Sequence, residues 1–334
     1  MPKVVIAPDK FKFSLSAKDV AISIAKGIPH KLTKELIPLS DGGDGMLESL
    51  VKRPNMSSLV TDAFGNLVQA SWHFSDGEAI IESAKICGLE VSSKQLGSFD
   101  PVNATTKGLG ELINKVIEMG AHKLTIGIGG TATTDGGYGM ISALNPRYRN
   151  KSIDVVALCD VKTKFLDAAV MFGPQKGASP KQVELLTRRL EFLVQKYEEE
   201  YKVNVNLPRS GAGGGLAGGL LAFFGAELVD GAPYIGQMKN LEQALADADL
   251  VITGEGKLDD SSFSGKVVGY VLETASHLGL NCAIIAGQVD SESELNGYKN
   301  NVFSLADYFG LEAALSNTKG CLVELGRMIA QVFF

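Results

Sequence analysis

The chain opens on an apolar, β-branched run, Val4-Val5-Ile6-Ala7, and comparable runs recur at Glu35–Leu39, Lys123–Ile128, Ile153–Leu158, Leu250–Thr253, Ala283–Ala286 and Val302–Leu305. Short continuous apolar runs of this kind predict strands buried on both faces, as in parallel sheets. Between them lie segments with helical spacing. Val20, Ile24 and Ile28 share one face of a helix over Ala17–Gly27, with Ser16 placed to cap it. Further helices are predicted over Met46–Lys52, Thr105–Met119, Pro180–Tyr201, Met238–Asp247 and Gly265–Leu278. A different texture begins near Ser58, where Leu59–Ala63, Val68–Phe74 and Ala79–Glu82 read as short alternating strands joined by Gly-containing turns.

The two ends of the chain match in style and the middle differs. The expected architecture is therefore α/β: a Rossmann-like doubly wound domain, residues 1–60 plus 236–334, with a second α/β domain, residues 61–235, inserted into it. The length of 334 residues and 45% hydrophobic content suffice for two cores. A net charge of −6 without a dense Lys/Arg block argues against nucleic acid as the main partner. Cys87, Cys159, Cys282 and Cys321 form no CxxC pair, which argues against zinc and a disulfide framework and fits a reducing cytoplasm. The longest apolar stretch, Leu216–Val229, is too short and too rich in small residues to span a bilayer.

Charge and glycine concentrate where the predicted strands end. Asp249–Lys266 is the densest case: a strand is expected to break at Gly254-Glu255-Gly256 into a turn, followed at once by Lys257, Asp259 and Asp260. Asp9 and Lys10 with Lys12 follow the first strand, and Asp41, Gly42, Gly43 and Asp44 follow the second. Gly129-Gly130-Thr131 follows another strand and would form an anion-binding nest, with Asp135 nearby. Asp160 ends an otherwise apolar strand, a position suited to a metal ligand or a cap. In open α/β sheets, ligands bind at such strand ends.

Gly213-x-Gly215-x-x-Gly218 satisfies the dinucleotide fingerprint literally, which keeps an NAD-dependent oxidoreductase open as an alternative. Pro208, however, interrupts the strand the fingerprint requires. The same glycines equally permit close helix packing. There is no P-loop, protein-kinase signature, HExxH or nucleophile elbow, and the four histidines lack catalytic neighbours. What remains, lysines, carboxylates and glycine loops at strand ends, is what phosphoryl transfer needs. Lysines and backbone amides offset phosphate charge, carboxylates hold Mg²⁺, and one carboxylate takes the proton of the attacking hydroxyl. The residues alone thus lead to a two-domain small-molecule kinase or another enzyme of an anionic ligand.

Several stretches together resemble the bacterial type I glycerate kinase family. They are Ala7–Lys12 with Leu15-Ser16-Ala17, Asp41–Gly45, Gly129–Gly137, Cys159-Asp160-Val161, Phe172–Ala178, Gly211–Gly215, and Asp249–Asp259 with Gly265-Lys266. The resemblance implies ATP-dependent phosphorylation of D-glycerate with Mg²⁺. By this resemblance Asp41, Lys257 and Lys10 are expected to be catalytic. Lys12, Asp9, Gly42, Gly43 and Asp259 would bind substrate. Gly130, Thr131, Asp135, Gly213, Gly214 and Gly215 would bind the nucleotide, and Asp160 and Glu255 the metal. The expected partner is a small molecule, with homo-oligomer formation left open. The chain departs from the family pattern at Lys10 (usually serine), Phe13 (usually glycine), Lys162-Thr163-Lys164 (usually Asn-Pro), and Ser261-Ser262 (usually glutamine and threonine), and Ser142–Asp154 is short. Because Lys10 and Lys162–Lys164 lie in site loops, a related small hydroxy acid is an alternative acceptor, and a non-catalytic binder of an anionic metabolite is a further reading.

Overall fold

The computed structural model describes residues 1–89, 91, 100–263, 265–290, 295–298 and 301–334. Among these, the strands in chain order are β1 (Lys3–Ile6), β2 (Thr33–Leu36), β3 (Met56–Thr61), β4 (Leu67–Ser75), β5 (Glu78–Glu82), β6 (Lys123–Gly127), β7 (Asp154–Cys159), β8 (Glu227–Asp230), β9 (Leu250–Leu258), β10 (Asn281–Val289) and β11 (Val302–Ser304). They divide between two compact units. Unit 1 comprises Met1–Asp41, Glu48–Leu50 and Ala232–Phe334; unit 2 comprises Gly42–Leu47 and Val51–Gly231. Chain ends in one unit and an inserted middle in the other give the doubly wound plus inserted α/β class. The sequence reading set the first boundary after residue 60. That point falls inside β3, which pairs antiparallel with β4 in the second sheet.

Unit 1 carries a sheet of order β11-β10-β9-β1-β2 in which every neighbouring pair is parallel. Counted within the unit, this is the 2-1-3-4-5 order of flavodoxin-like doubly wound sheets. β1, β9 and β10 are buried on both faces, so their apolar residues run continuously rather than alternating, whereas the edge strand β2 is largely exposed. Val4, Ile6, Leu250, Ile252, Ala283 and Ile285 share one core with Val20 and Ile24 of the helix Ala17–Gly27 and Leu322, Leu325 and Ile329 of the helix Thr318–Phe333. The alternate residues Val5, Val251 and Ile284 are equally buried but lie outside that core. The helix Ala17–Gly27 forms where its spacing predicts, and Ser16 caps it by accepting from the Asp19 amide.

One expectation fails instructively. β9 does not break at Gly254-Glu255-Gly256; it continues to Leu258 and stays paired with β10 through Val289. Gly254 is needed for close packing: a Cβ there would lie 1.9 Å from the Ile285 carbonyl oxygen. The strand predicted at Glu35–Leu39 is assigned as Thr33–Leu36, yet Ile37 and Leu39 still donate to Ile6 and Pro8 carbonyls at 2.8 and 2.9 Å. This extension carries Asp41 along the end of β1.

Unit 2 carries a sheet of order β3-β4-β5-β6-β7-β8, antiparallel over the first two pairs and parallel thereafter. Trp72 and the apolar face of the helix Lys107–Glu118 fill its main core. The helix Pro180–Tyr201, closed by a capping box of Ser179 and Gln182, buries Leu186, Leu190, Leu193 and Tyr197 around Phe165. β8 and the helix Gly231–Met238 were not anticipated.

Gly254→Ala is expected to destabilise the chain by about 3 kcal/mol or more, because the obstructing atom is backbone of the neighbouring strand. Urea unfolding measures it; an unchanged midpoint would show that β9 and β10 separate without cost.

Candidate functional site

In unit 1 the strand order reverses between β1 and β9, and the carboxyl ends of strands at such a switch point form a crevice. The residues placed there are Asp9 and Lys10 after β1, Asp41 after β2, and Glu255 within β9. Asp9 is 7% exposed; its amide donates to the Gly254 carbonyl at 2.9 Å and its Oδ1 accepts from the Lys10 amide at 2.7 Å. Burial pushes its carboxyl up to about 8; the charges of Asp41 and Glu255 push the same way and Lys10 opposes them. Burial also raises the Glu255 carboxyl, against the Ser262 hydroxyl and Lys266, while Asp259 and Asp41 add to the rise. Glu255 Oε1 is buried and has no hydrogen-bond partner among the described residues.

The departures at Ser261 and Ser262 find a physical use here. The Ser262 hydroxyl accepts from the Asp259 amide at 3.0 Å and donates to Glu255. The Asp259 carboxylate accepts from the amide and the hydroxyl of Ser261, and Lys266 Nζ donates to Ser261 Oγ at 2.8 Å. Asp259 is thus engaged in holding its own turn. Lys257 is exposed and pairs with Asp290 at 2.9 Å. Lys12 Nζ lies 5.2 Å from the ring centre of Phe13, itself 86% exposed with a left-handed φ of 64°. A bulky side chain is uncommon in that conformation, which glycine adopts freely.

In unit 2 the ends of β5, β6 and β7 gather a second set. Gly129 closes on Gly43 and Asp160: a Cβ at 129 would lie 2.7 Å from Gly43 Cα and 3.2 Å from Asp160 Oδ2. Gly42 packs on Leu158 in the same way. Gly130 has a φ of 77° and Thr131 is buried. Gly213, Gly214 and Gly215 are all left-handed, and a Cβ at Gly214 would lie 2.0 Å from the Thr133 carbonyl oxygen. Their small size therefore serves close packing of the 211–215 loop on the 128–136 loop. No strand precedes Gly213, so the fingerprint lacks the context a dinucleotide site requires. Asp135 is committed internally: Oδ2 accepts from the Thr106 amide at 2.8 Å, the Thr106 hydroxyl at 2.9 Å and the Gly139 amide at 3.1 Å, and Oδ1 from the Gly137 amide at 3.1 Å.

Two functional candidates were missed. Glu82, at the end of β5, accepts from the Gly45 and Leu47 amides at 2.9 and 3.0 Å with Lys85 at 3.7 Å, and burial pushes its carboxyl up to about 7. Lys176, in the turn Pro174–Lys176, is 6% exposed; its Nζ donates to the Thr133 carbonyl at 2.6 Å and to Thr131 Oγ1 at 3.4 Å. Burial lowers its pKa to about 8. The sequence offered one signal for it, the motif Phe172–Ala178.

Because the fold raises the Asp9 pKa from 3.8 to about 8, the unfolded chain ionises first as pH rises. Stability from this group is therefore highest below pH 4 and falls towards pH 8. The gain in melting temperature from Asp9→Asn should be near zero at pH 4 and grow up to pH 8. Thermal unfolding over that range is the measurement, and a difference independent of pH would refute it.

Comparison with known proteins gives a consistent result. The profile of the Glycerate kinase family matches residues 4–152 and 145–334. The chain is 37% identical over 307 residues to glycerate 2-kinase of Escherichia coli (strain K12), covering 79% of this chain and 80% of that one. It is 31% identical to glycerate kinase of Halalkalibacterium halodurans, over 99% and 98% of the two chains. The crystal structure of a proposed glycerate kinase 2 from Salmonella typhimurium LT2 superposes with a TM-score of 0.79 at 31% identity, covering 99% of this chain and 98% of that one. With the switch-point carboxylates and the glycine turns already in place, the conclusion is that this chain belongs to the glycerate kinase family.

Proposed function

We propose that the protein transfers the γ-phosphoryl group of ATP to a hydroxyl of D-glycerate, giving phosphoglycerate and ADP. The observation that carries this is the gathering of Asp9, Asp41 and Glu255 at the switch point of the unit 1 sheet, where each raises or feels the charge of the others. Unit 1 and unit 2 are proposed to act as its two domains. Asp41 takes the proton of the acceptor hydroxyl as its oxygen attacks the γ-phosphorus and ADP leaves. Lys10, and with it Lys12 and Lys257, offset the charge of phosphate or of the glycerate carboxylate; for Lys257 this requires release from Asp290. Asp9, Gly42, Gly43 and Asp259 orient the acceptor. The amides of Gly130, Thr131, Gly213 and Gly214 serve the nucleotide phosphates, with Asp135 holding the first of these loops in shape; the Gly215 amide, also expected there, instead donates to the Gly211 carbonyl at 3.1 Å.

Mg²⁺ fits the donor set of unit 1. An orphaned, buried carboxylate oxygen on Glu255, beside Asp9 and Asp41, is hard, anionic and short of a partner. Among the described residues no three or more His, Cys, Asp or Glu side chains are placed to hold a metal ion together, so any ion here would have at most one or two protein carboxylates. That accords with the habit of Mg²⁺, which uses one or two carboxylates and fills its shell with water and phosphate oxygens. Glu255 is proposed as such a ligand in unit 1, and Asp160 as a separate candidate ligand within unit 2; when bound, the ion would neutralise charge developing on the transferred phosphoryl group.

The basic departures Lys10 and Lys162–Lys164 make the acceptor the part of this reading most open to variation, within small hydroxy acids. The setting is proposed to be the cytoplasm: all four cysteines are free and buried, and no helix among the described residues is long and apolar enough to cross a membrane. A coupled ADP-release assay over a panel of small hydroxy acids, followed by phosphorus NMR of the product, tests the reaction. Asp41→Asn should lower kcat by about 10²–10⁴-fold with the fold retained; near-normal turnover would remove Asp41 from the reaction.

A further inference from the structure

Lys176 is the most unusual cation in the described residues. Its side chain is 6% exposed, and among the described residues it is in no ion pair within 4.0 Å. An ammonium carries three N–H donors, and two acceptors are in place, one of them at the long distance of 3.4 Å. Burying a positive charge costs several kcal/mol unless a counter-charge and full hydrogen bonding offset it. The carboxylates that act on it, Asp135 and Asp160, do so from beyond pairing distance. Asp135 is moreover fully occupied by the Thr106, Gly137 and Gly139 donors. Two further polar groups beside it are also incomplete: the hydroxyls of Thr133 and Thr134 are buried without a partner among the described residues. The backbone keeps Lys176 in place, since its amide and that of Ala178 both donate to the Gly173 carbonyl at 3.0 Å.

We propose that Lys176 is the counter-charge for an oxyanion bound against the Gly129–Thr131 turn of unit 2. This deepens the kinase reading and rests on it for the identity of the anion. Two sources share that chemistry, a phosphate of the nucleotide and the carboxylate of the acceptor. Thr131 connects the two parts of the arrangement: its hydroxyl accepts from Lys176, so its own proton is free to be given to the oxyanion, while the turn's backbone supplies N–H donors. The bound anion completes the hydrogen bonding of a cation that the protein alone leaves short.

A purely structural lysine and a ligand-binding one make opposite predictions. Isothermal titration of ADP, D-glycerate and inorganic phosphate into the wild type, Lys176→Met and Lys176→Arg, with melting temperatures of the ligand-free proteins, separates them. Lys176→Met should weaken the dissociation constant of ADP or of D-glycerate by about 10–100-fold, the worth of one charged hydrogen bond. Whichever ligand is affected identifies the source of the oxyanion. The ligand-free Met variant should melt no lower than the wild type, since an uncompensated buried charge has been removed. Lys176→Arg should retain most of the affinity. If the Met variant does not fold, Lys176→Gln against Lys176→Arg carries the same comparison. Unchanged affinities for all three ligands, a lower melting temperature with unchanged affinity, or a wild type that binds none of the three overturns the proposal. Failure of the kinase reading is seen separately, as binding of ADP or phosphate without ADP release on any hydroxy acid.

Discussion

Three carboxylates of one sign at the ends of neighbouring parallel strands are an arrangement that folding itself resists. Each charge removed from water costs free energy, and each neighbour of like sign adds to the cost. The chain bears this at Asp9, Asp41 and Glu255, and the strain appears as a carboxyl held well above the usual range at Asp9 and raised at Glu255. The partial remedies are local: the Lys10 amide on Asp9, the Ser262 hydroxyl and Lys266 on Glu255. None of them neutralises the group. A cation brought by a ligand would, which is why an electrostatically costly switch point is the natural place for a metal–phosphate substrate.

Unit 2 meets the complementary problem with backbone rather than charge. Its loops approach so closely that side chains would collide, as at Gly129 against Gly43 and Gly214 against Thr133. Beside these contacts the Thr133 and Thr134 hydroxyls are buried without a hydrogen-bond partner among the described residues. Asp135 satisfies one side of this cluster from within, by accepting from two loops and a helix start. Unit 1 thus gathers buried carboxylates short of positive charge, while unit 2 buries at Lys176 a cation in no ion pair among the described residues.

Much of this was legible in the sequence where a local rule governs the outcome. The helices Ala17–Gly27 and Pro180–Tyr201 follow from periodicity and from the caps Ser16 and Ser179. The strand ends carrying Asp9, Asp41 and Asp160 follow from apolar runs stopping at charge. The rest depended on partners distant in sequence. Gly254 and Gly256 look like a turn, and only the nearness of Ile285 in β10 to the first and of the Phe11–Lys12 backbone to the second shows why glycine stands within a continuous β9. Lys257 looked available until Asp290 appeared beside it. Glu82 belongs to no motif and Lys176 only to the stretch Phe172–Ala178; their importance lies in burial, which a single chain of letters does not display. The serines at Ser261 and Ser262 read as departures, whereas in three dimensions they tie Asp259, Glu255 and Lys266 into one network.

The interruption of unit 1 by unit 2 also shapes how the protein is made. Ala7, just past β1, accepts a hydrogen bond from the Thr253 hydroxyl, 246 residues further on. At ordinary ribosomal speeds the first strand waits roughly 10–50 s for its neighbour to be synthesised. Unit 2 has its whole sheet and core by Gly231 and can close during that interval. The amino-terminal β1-helix-β2 segment meanwhile presents a bare apolar edge to the cell, so the burden of chaperoning this nascent chain falls on its first forty or so residues.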